Sequence, residues 1–393
     1  MLIVRLKKGL ENKLLNGYPW VFKDEIEEIE GETYLGSEVN VFSSDFKFVG
    51  KGLYNPFSRR TIMFLTTKDE AIGDEFILSR LVNALSWRKR LFEEPYYRLF
   101  HGEGDGLPGF IADRYGDTVV VQFRNAIVEL FKDRIVNHLI DIVSPATIYE
   151  RSDFEMRVGE QIQRNVGLLY GNIPNGPLTI RENGISYLVD IVQSQKTGFF
   201  YDQRESRFFA RRIVEELGLK KGLDLFTYTG GFALNMAIAG AQVIAVDKSG
   251  IDLEFGSKNA TLNGLVNKVS FLQSDVFEYL KALEKREQFD IVVIDPPSLI
   301  KGKYEISKGI KFLKELVEGA LDTIRSGGVI GLCSCAYNLT LSHLIEALRK
   351  ASAGKGVYYR FLGVTYQSRD HPWVLQIPET LYLKCLWAVV EKR

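Results

Sequence analysis

Five short stretches carry residues whose types and spacing could do chemistry. Asp224-Leu-Phe226-Thr227-Tyr228-Thr229-Gly230-Gly231 closes an apolar run, and a helical pattern opens at Phe232. Glycines between a strand and a helix N-terminus let a ligand approach the backbone closely. A second run, Val243–Val246, ends in Asp247, and an acid at that point of an α/β sheet is the usual partner of ribose hydroxyls. Asp275 follows a third run, where it can accept from an adenine amino group or cap the helix that starts at Val276. Asp295-Pro296-Pro297 closes a fourth run, its prolines holding an extended turn. The fifth run delivers Cys333-Ser334-Cys335 to the same edge.

The glycine pattern discriminates between ligands. A dinucleotide fingerprint needs Gly-x-Gly-x-x-Gly, and a phosphate loop needs Gly-Lys-Ser or Gly-Lys-Thr; neither is present. Asp-x-Phe-x-x-x-Gly-Gly instead resembles motif I of the class I S-adenosylmethionine (SAM) methyltransferases, whose ligand carries no phosphate. The candidate cofactor set is then Asp224, Phe226, Thr227, Tyr228, Thr229 and Gly230, with Asp247 and Lys248 on the ribose side, Ser274 and Asp275 on the adenine side, and Asp295. Gln195 and Gln203 flank a polar strand-to-helix junction suited to the methionine end of SAM. That stretch could equally be a linker with a helix cap at Asp202. A nucleotide-dependent oxidoreductase on the same sheet is the competing class. No metal ligand set is assigned.

The cysteines suggest a reaction. C5 of a pyrimidine is a poor nucleophile until a thiolate adds to C6 and makes C5 enamine-like, able to accept a methyl group. A free thiol has a pKa of about 8.5, so such a site must favour the thiolate. Either cysteine could be a small buried hydrophobe. Cys333, inside the strand, fits that role; Cys335, at the turn, fits the nucleophile, with Asp295 and the two prolines placed to hold the base. Ser298 stands where enzymes that methylate exocyclic amines typically carry a stacking aromatic, although Leu299 or another loop could substitute. Methylation of a base nitrogen without a covalent intermediate therefore stays open. His371 is a candidate proton-handling base, but a lone histidine is more often structural.

These residues need a parallel sheet to bring them together. A length of 393 residues with 46% hydrophobic content suits two or three domains. Residues 1–70 read as short β-rich segments, 71–192 as a small α+β domain, and 193–393 as strand–helix alternation, the signature of a parallel sheet. Tyr358–Val364 and Leu381–Val390 are two strand-like runs that fit an antiparallel hairpin at the sheet edge. Net charge is zero, so nucleic-acid binding would need local basic patches. One candidate is the arm with Arg5, Lys7, Lys8, Lys13 and Lys23 around Tyr18-Pro19-Trp20, although Trp20 could instead plug a small β-barrel. Three cysteines, two of them a residue apart, argue against a disulfide framework and for a reducing cytoplasm. No apolar run reaches the ~20 residues of a membrane span, and the N-terminal residues lack a secretion-signal pattern.

Over nearly its full length the sequence resembles the ribosomal RNA large-subunit methyltransferase I family. Asn55-Pro-Phe-Ser58, Gly104-Asp-Gly-Leu-Pro-Gly109, Asp113-Arg-Tyr-Gly-Asp117, Gln195-Lys-Thr-Gly-Phe-Phe-Tyr-Asp-Gln-Arg204, Phe226-Thr-Tyr-Thr-Gly-Gly-Phe232, Asp295-Pro-Pro297 and Asp370-His-Pro372 carry the likeness. Ser334-Cys335 falls on the family's Ser-Cys, and Ala336-Tyr337 departs from the smaller polar residues expected after it. The resemblance implies a β-barrel PUA domain, a central α+β domain, and a Rossmann-like class I methyltransferase domain with an antiparallel C-terminal strand. It also implies SAM as cofactor, Cys335 as nucleophile, and 5-methylcytosine in 23S ribosomal RNA as product. A homodimer is an assembly this reading leaves open.

Overall fold

In the second half of the chain the apolar runs become a seven-stranded sheet. Its strands are β1 (Lys221–Leu225), β2 (Gln242–Asp247), β3 (Val269–Gln273), β4 (Phe289–Ile294), β5 (Ile324–Ser334), β6 (Val357–Tyr366) and β7 (Lys384–Lys392), in the order β3-β2-β1-β4-β5-β7-β6. The strands β3 to β5 in that order pair in parallel, and β7 is antiparallel to both β5 and β6. Helices α1 (Arg204–Leu217), α2 (Gly231–Ile238), α3 (Gly250–Leu262), α4 (Val276–Ala282), α5 (Ile306–Thr323) and α6 (Leu341–Ser352) fill the intervals. β4 is buried at every position, as a parallel strand covered on both faces must be. Leu223, Ile294 and Leu332 share a core with Leu313 and Val317 of α5 and Leu344 of α6. The order reverses between β1 and β4, and ligands of open α/β sheets bind beyond the strand ends at such a switch.

This computed structural model describes residues 2–194, 196–283, 288–298, 300 and 302–393. It divides into two compact units: Met1–Ile180 with Val189–Tyr201 and Arg369–Thr380, and Arg181–Leu188 with Asp202–Ser368 and Leu381–Arg393. The second unit holds the seven-stranded sheet. Among the described residues no helix is long and apolar enough to cross a membrane.

The first unit contains a six-stranded sheet between Leu2 and Thr66 and a five-stranded sheet between Tyr96 and Gly171. Trp20, Leu53 and Met63 of the first sheet join Ile77 and Leu81 of helix Asp74–Leu91 and Phe100 and Phe110 of the second in one core. Trp20 is therefore a core residue, 6% exposed, with the Arg60 guanidinium 5.0 Å from its ring centre. The basic arm is largely met from within. Arg5 pairs with Glu27 and Glu28, Lys13 with Glu25, and the Lys7 ammonium donates to the Asp24 carbonyl.

One expectation is corrected. Antiparallel pairing of β5 with β7 sets Cys333 opposite Cys385, and the two form a disulfide. Spacing along the chain hides this pair, because 52 residues separate the partners and only strand pairing brings them together.

Candidate active site

β1 ends at Leu225, and the chain then alternates into left-handed backbone at Phe226 (φ 64°), Tyr228 (φ 53°) and Gly230 (φ 87°). Such angles are costly for residues with a Cβ and persist only where surrounding bonds over-determine them. Here the Thr227 N–H donates to the Val246 carbonyl, the Tyr228 N–H to Asp247 Oδ2 at 3.0 Å, and the Gly230 N–H to the Thr227 carbonyl. A Cβ on Gly230 would meet the Phe271 ring at 3.1 Å, so glycine is needed for shape as well as for φ.

Asp224 braces this loop from below. Its Oδ2 accepts from Thr227 Oγ1 at 2.5 Å and from the Ala233 N–H, in the first turn of α2, at 2.9 Å. Its Oδ1 is buried and has no hydrogen-bond partner. Burial pushes the Asp224 carboxyl up to about 7, against the pull of its two hydrogen bonds; Asp247 adds to the rise and Arg207 opposes it. A buried acceptor left open beside a glycine turn suits a ligand that brings a donor or a positive charge. SAM brings both, so the residues fit it.

Asp247, at the tip of β2, spends one oxygen on Tyr228 and the other on the Ser249 N–H at 3.0 Å. It therefore shapes the loops on both sides of it, and an ionised carboxylate keeps further lone pairs for a ligand. The Lys248 carbonyl accepts from Gln273, and the Ser274 N–H donates to the Asp247 carbonyl. Asp275 is exposed and caps α4 through Oδ1, which accepts from the N–H groups of Phe277 and Glu278. Asp295 follows β4, half-buried, with its N–H on the Leu225 carbonyl. Its carboxyl is also raised, by burial first and then by Asp202 and Asp224, while Arg207 and a hydrogen bond from Gln203 oppose the rise. Part of its surface is open, so solvent screens it more than Asp224. Gln203 is buried just ahead of α1.

β4 and β5 are parallel neighbours with Ile294 opposite Leu332, so Asp295 and Cys335 leave the sheet at the same edge. Cys335 is half-buried and is the cysteine outside the disulfide. Ser298 is exposed. Gln195 and Leu299 lie outside the described residues. His371 belongs to the first unit, where it is 2% exposed, bonded to Asp370 at 2.9 Å, with its ring centre 4.9 Å from that of His101.

Two residues of this edge escaped the sequence reading. Arg207 on α1 is buried, forks onto Glu182 at 2.7 and 2.8 Å, and sends its charge to both Asp224 and Asp295. A Cβ on Gly231 would stand 2.9 Å from its side chain, which explains the second glycine of the pair. Lys384 on β7 is the other. Its signal was only a lysine ahead of the apolar run Cys385–Val390.

Comparison with known proteins decides the family. The pattern of the S-adenosylmethionine-dependent methyltransferases matches residues 98–354, and that of a PUA-like domain matches residues 4–66. Ribosomal RNA large subunit methyltransferase I of Shigella boydii serotype 18 is 35% identical over 386 residues, 96% of this chain and 97% of that one. The chain belongs to the ribosomal RNA large subunit methyltransferase I family. The protein of that name from Escherichia coli O139:H28 is 34% identical over the same length. As a member of this family the chain is a SAM-dependent methyltransferase of class I fold. A methyltransferase solved with S-adenosylhomocysteine (SAH) shares the fold, with a TM-score of 0.84 at 24% identity over 99% of this chain and 100% of that one. A Streptococcus mutans structure described as a SAM-dependent methyltransferase aligns with a TM-score of 0.82 at 24% identity, covering 98% of this chain and 100% of that one.

Proposed function

We propose that this chain methylates C5 of a cytosine in large-subunit ribosomal RNA, with Cys335 as covalent nucleophile. The observation that carries the reading is the distribution of the cysteines. Cys333 and Cys385 are tied to each other, and Cys335 keeps its thiol at the strand edge shared with Asp224 and Asp295. The names of the relatives support ribosomal RNA as substrate, and the choice of cytosine follows the resemblance.

SAM, when bound, supplies an electrophilic methyl group. Asp224, the loop from Phe226 to Gly230, Asp247, Lys248, Ser274, Asp275, Asp295 and Gln203 are the residues that would hold it. The Cys335 thiolate adds to C6, forming a C–S bond and sending the ring electrons toward C5, which can then take up a methyl group. Loss of the C5 proton to a base returns the electron pair, breaks the C–S bond and releases the thiolate. Asp295 and the Pro296–Pro297 turn hold the flipped base beside the sulfur.

RNA carrying 5-fluorocytosine tests this, because it has no C5 proton to lose. Wild-type protein should form an adduct that survives denaturation, and Cys335→Ala should form none and lose activity. Near wild-type methylation by Cys335→Ala would discard the nucleophile and favour transfer to a base nitrogen, which needs no thiolate.

A further inference from the structure

Lys384 is 3% exposed, on β7 opposite Ser334 of β5. Its Nζ donates to the Ala336 carbonyl at 2.6 Å and to the Tyr382 carbonyl at 2.8 Å. The ammonium is thus fastened to the turn that carries Cys335, whose neighbours on either side are Ser334 and Ala336. Two carbonyls satisfy two of its three N–H groups but supply no negative charge. No carboxylate among the described residues pairs with it. A buried ammonium without a counter-ion gives up hydration for little return, and a strand position of this kind would ordinarily hold an apolar residue.

The other titratable groups packed around Lys384 do not fill the vacancy. Tyr366 stands opposite it on β6, and the Tyr382 hydroxyl is given to Asp202 at 2.8 Å. Burial lowers the Lys384 ammonium to about 8, and the charge that pulls it back up is that of Cys335. That brings the amine into the range of an ordinary free thiol, about 8.5.

Resting on the covalent reading above, we infer that Lys384 is the positioning residue that serves as counter-ion to the Cys335 thiolate. The step balances: the thiol proton passes from Sγ to Nζ, and thiol plus amine become thiolate plus ammonium. On addition to C6 the sulfur's charge moves into the base, and Lys384 keeps its proton. When the C–S bond breaks, the sulfur takes the electron pair and meets the same ammonium again.

The test needs no RNA. The rate of iodoacetamide alkylation of Cys335 is followed from pH 6 to pH 10 in the full chain, read on the peptide that carries it, for wild type, Lys384→Gln and Lys384→Arg. SAH binding reports on folding. Lys384→Gln should move the pH midpoint up by about one unit and slow alkylation at pH 7 by about tenfold, and Lys384→Arg should restore both. An unchanged profile in Lys384→Gln that still binds SAH overturns the inference, whatever the 5-fluorocytosine experiment gives. A shifted profile beside a fully active Cys335→Ala would refute covalent catalysis and leave the ion pair standing. If Lys384→Gln does not bind SAH, the reciprocal variant decides. Removing the sulfur in Cys335→Ala should lower the amine's own midpoint, measured by competitive acetylation of Lys384, by about one unit. No lowering overturns the pair.

Discussion

Cofactor binding should be linked to pH through Asp224. In the cofactor-free protein this carboxyl titrates at about 7, because burial penalises its charged form and Oδ1 has no donor. A ligand that presents a donor or positive charge to Oδ1 favours the ionised form, so binding expels the proton. For one group titrating near 7, raising pH from 6 to 8 tightens binding by about tenfold, or about 1.4 kcal/mol. Titration calorimetry with SAM and SAH at pH 6, 7 and 8, in two buffers of different ionisation enthalpy, gives both affinity and protons released. About half a proton should leave at pH 7. Asp224→Asn should bind more weakly with a flatter pH dependence; any titration of the ligand itself appears equally in both proteins and cancels. Equal pH slopes in wild type and Asp224→Asn would refute the reasoning. The same group works in the other direction on folding. Its folded value lies above the ~3.9 of an unfolded aspartate, so its contribution to stability is fully present below about pH 4 and is lost as pH rises to about 7. Urea unfolding without cofactor should show a steeper fall across that window for wild type than for Asp224→Asn.

Three substitutions probe the supports. Gly230→Ala forces a Cβ against Phe271 at positive φ, and should cost roughly 1–3 kcal/mol in denaturant titration and weaken SAH binding; no change in either would show that the loop adapts freely. Arg207→Met removes the fork on the buried Glu182 and leaves it the longer Arg204 pair at 3.5 Å, so it should destabilise by less than the about 3–5 kcal/mol of a fully broken buried pair, with Glu182→Gln recovering part of the loss in the double variant. Trp20→Ala should cost about 3–5 kcal/mol of stability, and RNA affinity measured on the folded fraction should hold; a selective loss of RNA binding would return Trp20 to the RNA surface.

The strand-end acids were legible because each follows an apolar run of strand length, and a parallel sheet sends all such ends to one edge. Asp247, Asp275 and Asp295 come from that rule, whereas Asp224 lies inside β1 and was marked by the glycine turn that follows it. The left-handed turns at Phe226 and Tyr228 were not legible, since both residue types favour extended backbone and the turn is imposed by bonds to Val246 and Asp247. Arg5 and Lys13 read as a basic arm because Asp24 to Glu30 looked like separate sequence, whereas antiparallel pairing sets Arg5 across from Glu28. The Cys333–Cys385 bridge and the Lys384 ammonium depend on the same kind of information: which residue of β7 stands opposite which residue of β5. Periodicity locates a strand but does not give its partner's register.

The path of the chain between β6 and β7 limits how this protein can be taken apart. Arg369–Thr380 leaves the second unit, joins the first, and the chain returns at Leu381. There the Arg88 guanidinium donates to the Asp370 carbonyl, the Asp370 carboxylate accepts from the Arg98 N–H, and Pro372 sits where a Cβ on Gly104 would collide. A fragment cut once, at residue 201, would carry this excursion without its receptor, and a chimera with a relative's N-terminal half would mismatch it. Grafting the first unit of this chain therefore has to transplant three discontiguous pieces at once, Met1–Ile180, Val189–Tyr201 and Arg369–Thr380. Natural recombination at a single crossover meets the same obstacle.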